Sequence, residues 1–260
     1  MRALVVVAWS VLGAAIGSFL NVVADRLPES GSLSTPPSHC PSCGHALTPM
    51  ELVPIASYVA LRGRCRVCGD RIGPRVVVVE AATAALFALA ALRWTGPDRV
   101  IMGELVLAGF ALSVLIVTTI TDLEHGLILD KVTIPAILLA AGAALLRGWP
   151  AMLRYGLGGV LGAGLIAAII LLVPGGMGWG DAKLAGFIGL MTGLAGLPFA
   201  LFIGFVTGGL IAGLLLVSRR AGRRDTLPLG PFLAIGGAVT VLYLEQLQRG
   251  FYLLSARLFG

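Results

Sequence analysis

Four cysteines lie in two short, matching stretches of the chain, and their spacing could hold one metal ion. Residues 40–49 and 65–74 both read C-x-x-C-G-x-x-aliphatic-x-Pro, and their cysteines are Cys40, Cys43, Cys65 and Cys68. Two residues between cysteines let both sulfurs reach one ion, and the Gly that follows relieves the tight turn. Two such repeats predict a closed, structural four-thiolate zinc site, with disulfides or a redox pair as the alternatives.

Two histidines, His39 and His45, flank the first cysteine pair. A histidine nitrogen is an ordinary zinc ligand, but four sulfurs already complete a tetrahedral site. We interpret both histidines as solvated neighbours, and replacement of a cysteine ligand by one of them is the alternative. A closed site of this kind is expected to organise the surrounding segment and not to perform chemistry.

Two aspartates lie in contexts that could perform acid–base chemistry. Asp122 ends an apolar segment in T-D-L-E-H, and Asp181 begins another in G-M-G-W-G-D. Two carboxylates brought close cannot both ionise easily, so they share a proton, and such a pair can activate water for attack on a peptide carbonyl. Gly178 and Gly180 would let backbone and substrate approach the acid. The alternative is that Asp181 caps a helix and Asp122 marks a helix end.

The composition says what kind of scaffold must position these residues. The chain has 260 residues, of which 57% are hydrophobic and 12% charged. A soluble domain carries about a quarter charged residues, and a disordered chain is polar, so both classes are excluded. The net charge of +6 can indicate nucleic acid. In a membrane protein it reflects Arg-rich cytoplasmic loops instead, so we expect a lipid bilayer and no nucleic acid as partner.

An all-α polytopic membrane protein with about eight spans is predicted, because a spanning helix needs roughly 20 mainly apolar residues. The first segment is interpreted as a retained anchor, since no A-x-A-like cleavage site follows it. Glycines inside these segments predict close helix packing, and no strand context supports a dinucleotide-binding loop. The candidate spans are residues 3–23, 76–94, 100–120, 132–146, 155–173, 182–194, 198–217 and 228–247, of which the fourth and sixth are short.

The long polar stretch after the first span is the expected extramembrane domain. We predict a first transmembrane helix at 1–23, a four-cysteine domain at 24–75 and a membrane domain with both aspartates at 76–260. With eight spans, twelve basic residues, including four at 219–224, fall on the side of the cysteines, and seven, including Arg99, fall on the other. The positive-inside rule therefore predicts that the cysteines and both aspartates lie at the cytoplasmic face.

Three other ionisable residues lie near predicted membrane boundaries. Glu80 and Glu104 are interpreted as side chains that snorkel to the interface, and a functional role is the alternative. His125, three residues after Asp122, is interpreted as an interface residue, although it could also tune the aspartate pair.

Further stretches, in their order along the chain, resemble one family. They are G-S-F-L-N-V-V-A-D-R-L-P at 17–28, E-L-V-P-I-A-S-Y at 51–58, L-R-G-R-C at 61–65, Glu80, and L-G-P-F-L-A at 229–234. The cysteines, D-L-E-H at 122–125 and G-W-G-D-A-K-L at 178–184 complete the set. With these stretches, nearly the whole chain resembles the bacterial type IV prepilin peptidases, which are membrane aspartyl leader peptidases. One departure is Leu129, where that family often has a proline, and its loss is expected to alter a turn.

The resemblance implies that Asp122 and Asp181 are the catalytic pair of an aspartic endopeptidase in the bacterial inner membrane. Such enzymes cut a short basic leader from prepilins and pseudopilins of type IV pili and type II secretion, after a Gly at the cytoplasmic face. Many then methylate the new N-terminus with S-adenosylmethionine, and the family links its cysteine region to zinc and methylation.

The same resemblance puts a few supporting residues near the catalytic pair: Gly178, Gly180 and Lys183. Charge sign alone suggests that Glu124 or Asp130 meets the basic leader. Another G-x-G-D intramembrane protease and a membrane transporter or scaffold without enzymatic activity are the alternatives. The cysteine repeats and the leader-type topology favour the leader peptidase.

Overall fold

The computed structural model of the chain describes residues 2–96, 101–173, 175, 177–218 and 227–259. Within these ranges the extended regular elements are helices, and two isolated β-bridges, His39 with Ala46 and Arg64 with Arg71, lie at the cysteine repeats. The eight helices are α1 Arg2–Arg26, α2 Ala56–Ala60, α3 Arg75–Trp94, α4 Met102–His125, α5 Asp130–Leu146, α6 Trp149–Leu172, α7 Trp179–Val217 and α8 Gly230–Phe259.

Six of the described helices (α1, α3, α4, α6, α7 and α8) are long and apolar enough to cross a membrane, which confirms the all-α polytopic class. The predicted fourth span is α5, whose 17 residues fall short of the roughly 20 that a span needs. The predicted sixth and seventh spans are the two halves of the 39-residue α7. Gly193 breaks this helix with φ 70° and ψ 177°, and Pro198 removes a further backbone donor, so the sequence pattern showed two segments.

Several sequence predictions fall outside the described residues. They concern the four arginines at 219–224, Arg99, the start of the third span at Val100, and Gly176 of the G-M-G-W-G-D stretch. The division into three regions at residues 23 and 75 stays a prediction. The described chain forms two compact units, Met1–Val117 and Thr118–Gly260, and their boundary falls inside α4.

In the first unit, α1 packs closely against α3 through small residues. A Cβ atom added to Gly13 would lie 2.7 Å from the Cβ of Phe87, and one added to Gly17 would lie 2.9 Å from the Cα of Glu80. Trp9 stacks on Phe87 with ring centroids 6.0 Å apart. The glycines therefore allow the two helices to approach until backbone and ring are in contact.

Glu80 is a correction to the sequence analysis. Its side chain is only 4% exposed, and its Oε2 accepts a hydrogen bond from the main-chain N–H of Ile55 at 2.7 Å. A snorkelling carboxylate would reach water, so the boundary interpretation of Glu80 is wrong. Glu104, in the first turn of α4, is half-buried.

In the second unit, α6 and α7 are in still closer contact. A Cβ atom on Gly158 would lie 2.5 Å from the carbonyl oxygen of Gly189, and one on Gly162 would lie 2.5 Å from that of Ala185. Both distances are shorter than van der Waals contact, so no larger residue fits without moving a helix. The predicted close packing through glycines is confirmed for this pair.

The α6–α7 contact predicts a sharp difference between two glycines of the same helix. Gly162→Ala places a methyl group against the Ala185 carbonyl and is expected to lower the free energy of unfolding by about 1–3 kcal/mol. Gly164→Ala is the matched control, because a Cβ atom there meets nothing within 4 Å. Unfolding of both variants in detergent, followed by circular dichroism, measures the difference, and equal stabilities would contradict the packing described.

Candidate active site

Asp122 lies in the last turn of α4 and is held by the beginning of α8. Its carboxylate is 7% exposed, and Oδ2 accepts a hydrogen bond from the main-chain N–H of Gly230 at 2.9 Å. A Cβ atom at Gly230 would lie 2.5 Å from that same oxygen. Only glycine therefore lets the start of α8 approach closely enough to donate this hydrogen bond.

Asp181 lies in the first turn of α7 and is equally buried, at 7% exposure. Its Oδ2 accepts a hydrogen bond from the main-chain N–H of Gly178 at 2.9 Å, and its own N–H donates to the Gly178 carbonyl oxygen at 3.0 Å. A carboxylate in a first turn also compensates the positive end of the helix dipole. Asp181 thus has the capping role considered as an alternative, and this role fixes where its carboxylate points.

The two aspartates line one cavity of about 580 Å³. The rest of the wall comes from the end of α4 and the chain after it, from the start of α7 and the chain before it, and from the chain that precedes α8. Its described members, besides the aspartates, are Leu123, Gly126, Leu127, Ile128, Gly175, Met177, Gly178, Trp179, Gly180, Leu227, Pro228 and Leu229.

The two glycines before Asp181 have different roles. Gly178 has an extended backbone and donates to Asp181, and a Cβ atom there would meet that carboxylate at an ordinary 3.7 Å. A Cβ atom at Gly180 would lie 2.8 Å from the Cβ of Ile128, which also lines the cavity. Gly180 therefore allows close packing against Ile128, and the approach of a substrate to the acid stays a prediction.

The supporting residues named from the sequence are divided between the cavity and its surroundings. Gly178 and Gly180 line the cavity, whereas Lys183 forms an ion pair with Asp130, its Nζ 2.5 Å from Oδ1. Asp130 lies in the first turn of α5, and Glu124 is exposed near the end of α4. These three charged residues do not belong to the described wall of the cavity.

Leu129, where a proline was expected, precedes α5 with φ −74° and ψ 122°. Proline adopts this φ without strain. The leucine therefore keeps the turn that a proline would impose, and the expected alteration of the turn is not seen.

The four cysteines of the first unit meet in one cluster, as their spacing predicted. All four sulfur atoms lie within 4.8 Å of one another, with 3.8 Å between Cys40 and Cys68 and 3.9 Å between Cys43 and Cys65. Tetrahedral thiolates at the usual zinc distance lie about 3.8 Å apart. The cysteines form no disulfide, so the arrangement can hold a metal ion.

Both cysteine repeats have the same local hydrogen bonding. Gly44 and Gly69 have φ of 72° and 74°, and they donate to the carbonyl oxygens of Cys40 and Cys65 at 2.9 and 3.0 Å. Main-chain N–H groups of Cys43 and Ser42 lower the pKa of the Cys40 thiol to about 7. The corresponding groups of Cys68 and Val67 lower the pKa of Cys65. In each repeat the first cysteine is therefore favoured as thiolate, the form that binds metals, whereas burial and neighbouring cysteines raise the pKa of the second, Cys43 or Cys68.

The two histidines lie outside the sulfur cluster. His39 Nδ1 is 3.0 Å from the Pro37 carbonyl oxygen, and His45 Nε2 is 3.2 Å from Glu51 Oε2. Within the described residues the candidate metal ligands are the four cysteines alone. The histidines are thus neighbours of the cluster, as we interpreted them.

Sequence reasoning missed the contribution of the chain before α8. Residues 227–229 line the cavity, and Gly230 holds Asp122 although 108 residues separate the two. The only signal in the sequence was the L-G-P-F-L-A stretch, which carried the family resemblance without an assigned role.

Comparison with known proteins gives a consistent result for both halves of the chain. Residues 11–94 match the bacterial peptidase A24 N-terminal domain, and residues 109–213 match the type IV leader peptidase family. The two matches include the four cysteines and both aspartates.

Curated relatives match along most of their length, and each is named a prepilin leader peptidase/N-methyltransferase. A Burkholderia pseudomallei (strain 1026b) protein is 38% identical over 269 residues, covering 90% of this chain and 84% of the relative. A Bacillus subtilis (strain 168) protein is 34% identical, covering 90% and 92%. A Pseudomonas aeruginosa protein is 31% identical, covering 92% and 90%. No solved structure matches the chain.

Proposed function

The chain belongs to the type IV leader peptidase family, and from this membership we propose that it removes the leader peptide of type IV prepilins or pseudopilins with Asp122 and Asp181. The observation that carries the proposal is the common cavity of the two aspartates, in which a main-chain N–H fixes one oxygen of each carboxylate. The second oxygen of each has no hydrogen-bond partner among the described residues and is available for proton transfer.

The proposed mechanism uses the pair as acid and base. One carboxylate takes a proton from water, whose oxygen attacks the scissile carbonyl carbon, while the other carboxylic acid donates its proton to the carbonyl oxygen. Collapse of the tetrahedral intermediate then breaks the C–N bond, and the leaving amine receives a proton. Because the amides of Gly178 and Gly230 are rigidly placed, neither carboxylate has to reorient during these transfers.

The membrane explains how the substrate would reach this cavity. This is a multi-pass membrane protein, and a prepilin also carries an apolar helix that can lie in the bilayer beside it. Placing the basic loops in the cytoplasm puts the cavity at the cytoplasmic face of the inner membrane, where the leader protrudes. Cleavage after a Gly, and contact of the basic leader with Glu124 or Asp130, belong to the same proposal.

We also propose N-methylation of the new N-terminus, since the relatives are named for both activities. S-adenosylmethionine, when bound, supplies the methyl group as an activated sulfonium. The new amine must be presented unprotonated, so that its lone pair attacks. A zinc ion held by the four cysteines would fix the loop between α1 and α3, and the sulfur–sulfur distances support that metal.

Loss of either carboxylate is expected to abolish leader cleavage. Asp122→Asn and Asp181→Asn keep the size of the side chain but remove the acid–base function, so the rate should fall to below about one thousandth. Glu29→Gln, which changes an exposed carboxylate outside the cavity of the aspartates, should cleave at the normal rate. The measurement is the cleavage of a purified prepilin in detergent, and normal processing by either aspartate variant would refute the assignment.

Gly230 is expected to matter for cleavage although it carries no side chain. In Gly230→Ala the new methyl group occupies the space of Asp122 Oδ2 and displaces the carboxylate, which should slow cleavage roughly hundredfold. Gly209→Ala, where a Cβ atom meets nothing within 4 Å, is the matched control. Initial rates with the same prepilin compare the two, and an unaffected Gly230→Ala enzyme would show that this hydrogen bond is dispensable.

Metal content tests the cysteine cluster. We expect one zinc ion per chain in the purified protein, and loss of most of it in Cys65→Ser, because a closed site needs all four thiolates. His39→Asn should keep its zinc, since this histidine lies outside the cluster. Elemental analysis by mass spectrometry gives the ratio, and a cysteine variant with full zinc content would argue against a four-thiolate site.

A further inference from the structure

The two cysteine repeats have the same local backbone but very different charge. Each repeat is closed by an isolated β-bridge, His39 with Ala46 in the first and Arg64 with Arg71 in the second. The first repeat contains no Lys or Arg, whereas the second repeat and the three residues before it contain four arginines: Arg62, Arg64, Arg66 and Arg71. Since the first repeat forms its turn and bridge without arginine, the geometry of the cysteine cluster does not explain these four residues, which we call the arginine cluster.

The β-bridge of the second repeat places two like charges opposite each other. Residues paired across an antiparallel bridge have Cβ atoms about 4.5–5.5 Å apart, and like charges in these positions are destabilising. Arg64 and Arg71 occupy the two positions, and both are exposed. Arg66 and Arg71 also line one cavity of about 350 Å³ in the first unit. Guanidinium groups gathered in this way are stabilised when an anion accepts their hydrogen bonds.

The protein itself does not neutralise the arginine cluster. The one acid of the second repeat is Asp70, whose Oδ2 accepts from the Ser42 hydroxyl and whose Oδ1 accepts from the main-chain N–H of Arg71 at 2.8 Å. Arg64 donates to a neutral acceptor, the Gly69 carbonyl oxygen, at 3.3 Å. Among the described residues, no carboxylate forms an ion pair with any of the four guanidinium groups. The anion that would balance these charges therefore has to come from outside the described chain.

The arginine cluster lies next to a candidate membrane span. Helix α3 begins at Arg75, four residues after Arg71, and is long and apolar enough to cross a membrane. Four extended residues cover at most about 14 Å, so Arg71 lies within that distance of the start of α3. The bridge keeps Arg64 beside it. Basic clusters immediately outside a spanning helix are attracted to anionic lipid headgroups.

An exposed apolar side chain lies within the same cluster. Val67 follows Arg66 between the two cysteines of the second repeat, and it is 64% exposed. The corresponding residue of the first repeat is the polar Ser42. A bilayer offers phosphates to the arginines and acyl chains to the valine, whereas a nucleic acid or an acidic protein surface offers a partner to the charges alone.

We infer that Arg62, Arg64, Arg66 and Arg71 bind the phosphate groups of anionic phospholipids beside the start of α3. A phosphate oxygen fits the planar fork of a guanidinium, and a phosphate shared by Arg64 and Arg71 replaces their repulsion by two charge-assisted hydrogen bonds. Val67 adds an apolar contact at the same surface. The lipid thereby ties the loop that carries the cysteine cluster to the membrane surface, and this inference does not depend on the proposed cleavage or methylation.

The first test needs no variant. Full-length protein is placed in nanodiscs of phosphatidylcholine alone or with phosphatidylglycerol, and phenylglyoxal modification of each arginine is followed by peptide mass spectrometry. We expect modification of Arg64, Arg66 and Arg71 to slow about fivefold or more with phosphatidylglycerol. Glycerol phosphate added to phosphatidylcholine nanodiscs should not protect them, which separates a bilayer headgroup from a free phosphate.

Two results of this footprint would overturn the inference. One is an equal rate of modification in both kinds of nanodisc. The other is protection by an oligonucleotide or by polyglutamate in phosphatidylcholine nanodiscs where phosphatidylglycerol gives none, because the arginine cluster would then be assigned to a nucleic acid or an acidic protein. Prepilin cleavage is not the readout, so failure of the proposed function leaves this test intact.

A double variant tests whether the bridged pair recruits the lipid. In Arg64→Gln/Arg71→Gln, the mole fraction of phosphatidylglycerol that half-protects Arg66 should rise roughly tenfold or lie beyond reach, since each lost arginine weakens the attraction about fivefold. Arg249→Gln/Arg257→Gln, which removes the same charge from exposed positions of α8, is the matched control with unchanged protection of Arg66.

Unfolding midpoints and metal content separate lipid binding from a structural role. Both should match the wild-type values in the Arg64→Gln/Arg71→Gln protein, because the first repeat forms the same turn without arginine. If this variant does not fold, the wild-type footprint decides. Unchanged protection of Arg66 in the folded variant, or loss of its metal together with a wild-type footprint that ignores phosphatidylglycerol, would overturn the inference.

Discussion

A carboxylate buried among apolar helices is stable only where hydrogen-bond donors meet it, and in the described part of this chain the backbone supplies those donors. Three buried acids, Asp122, Asp181 and Glu80, each accept a main-chain N–H at 2.7–2.9 Å. Burial without such a bond would cost several kcal/mol. Since an amide cannot move as a side chain can, each bond also fixes the direction of its carboxylate. The need to solvate buried charge therefore determines how the two aspartates are oriented in their cavity.

At Asp122 this arrangement depends on glycine, because a Cβ atom at Gly230 would lie 2.5 Å from the oxygen that its amide holds. Gly180 likewise leaves room for Ile128, since a Cβ atom there would lie 2.8 Å from the Cβ of Ile128. The same property brings α6 and α7 into backbone contact at Gly158 and Gly162. Glycine thus serves the packing of the bundle and the shape of the site through one physical property, the absence of a side chain.

Features that depend on a short stretch of the chain could be predicted from the sequence, whereas features that depend on residues far apart in the chain could not. The cysteine cluster was predictable because the spacing of cysteines within each ten-residue repeat lets both sulfurs reach one ion. The helical class was predictable from the length of the apolar segments. The cavity of Asp122 and Asp181 needed the family resemblance, because nothing local brings residues 59 positions apart together. The hydrogen bond from Gly230 could not be predicted at all, since a glycine carries no chemical signal. Glu80 was misread for a related reason: its partner is the main chain of a loop, which hydrophobicity patterns do not reveal.

The central proposal is that cleavage depends on Asp122 and Asp181, whose cavity is lined by residues of the second unit, and that methyl transfer does not use these carboxylates. The most direct measurement is the mass of a pilin that already lacks its leader, after incubation with S-adenosylmethionine and the Asp181→Asn variant. The account predicts that this pilin gains the mass of one methyl substitution as fast as with the wild-type protein, although the variant cannot cleave a prepilin. Loss of methyl transfer in a folded Asp181→Asn protein would contradict it, because both activities would then depend on the same carboxylate.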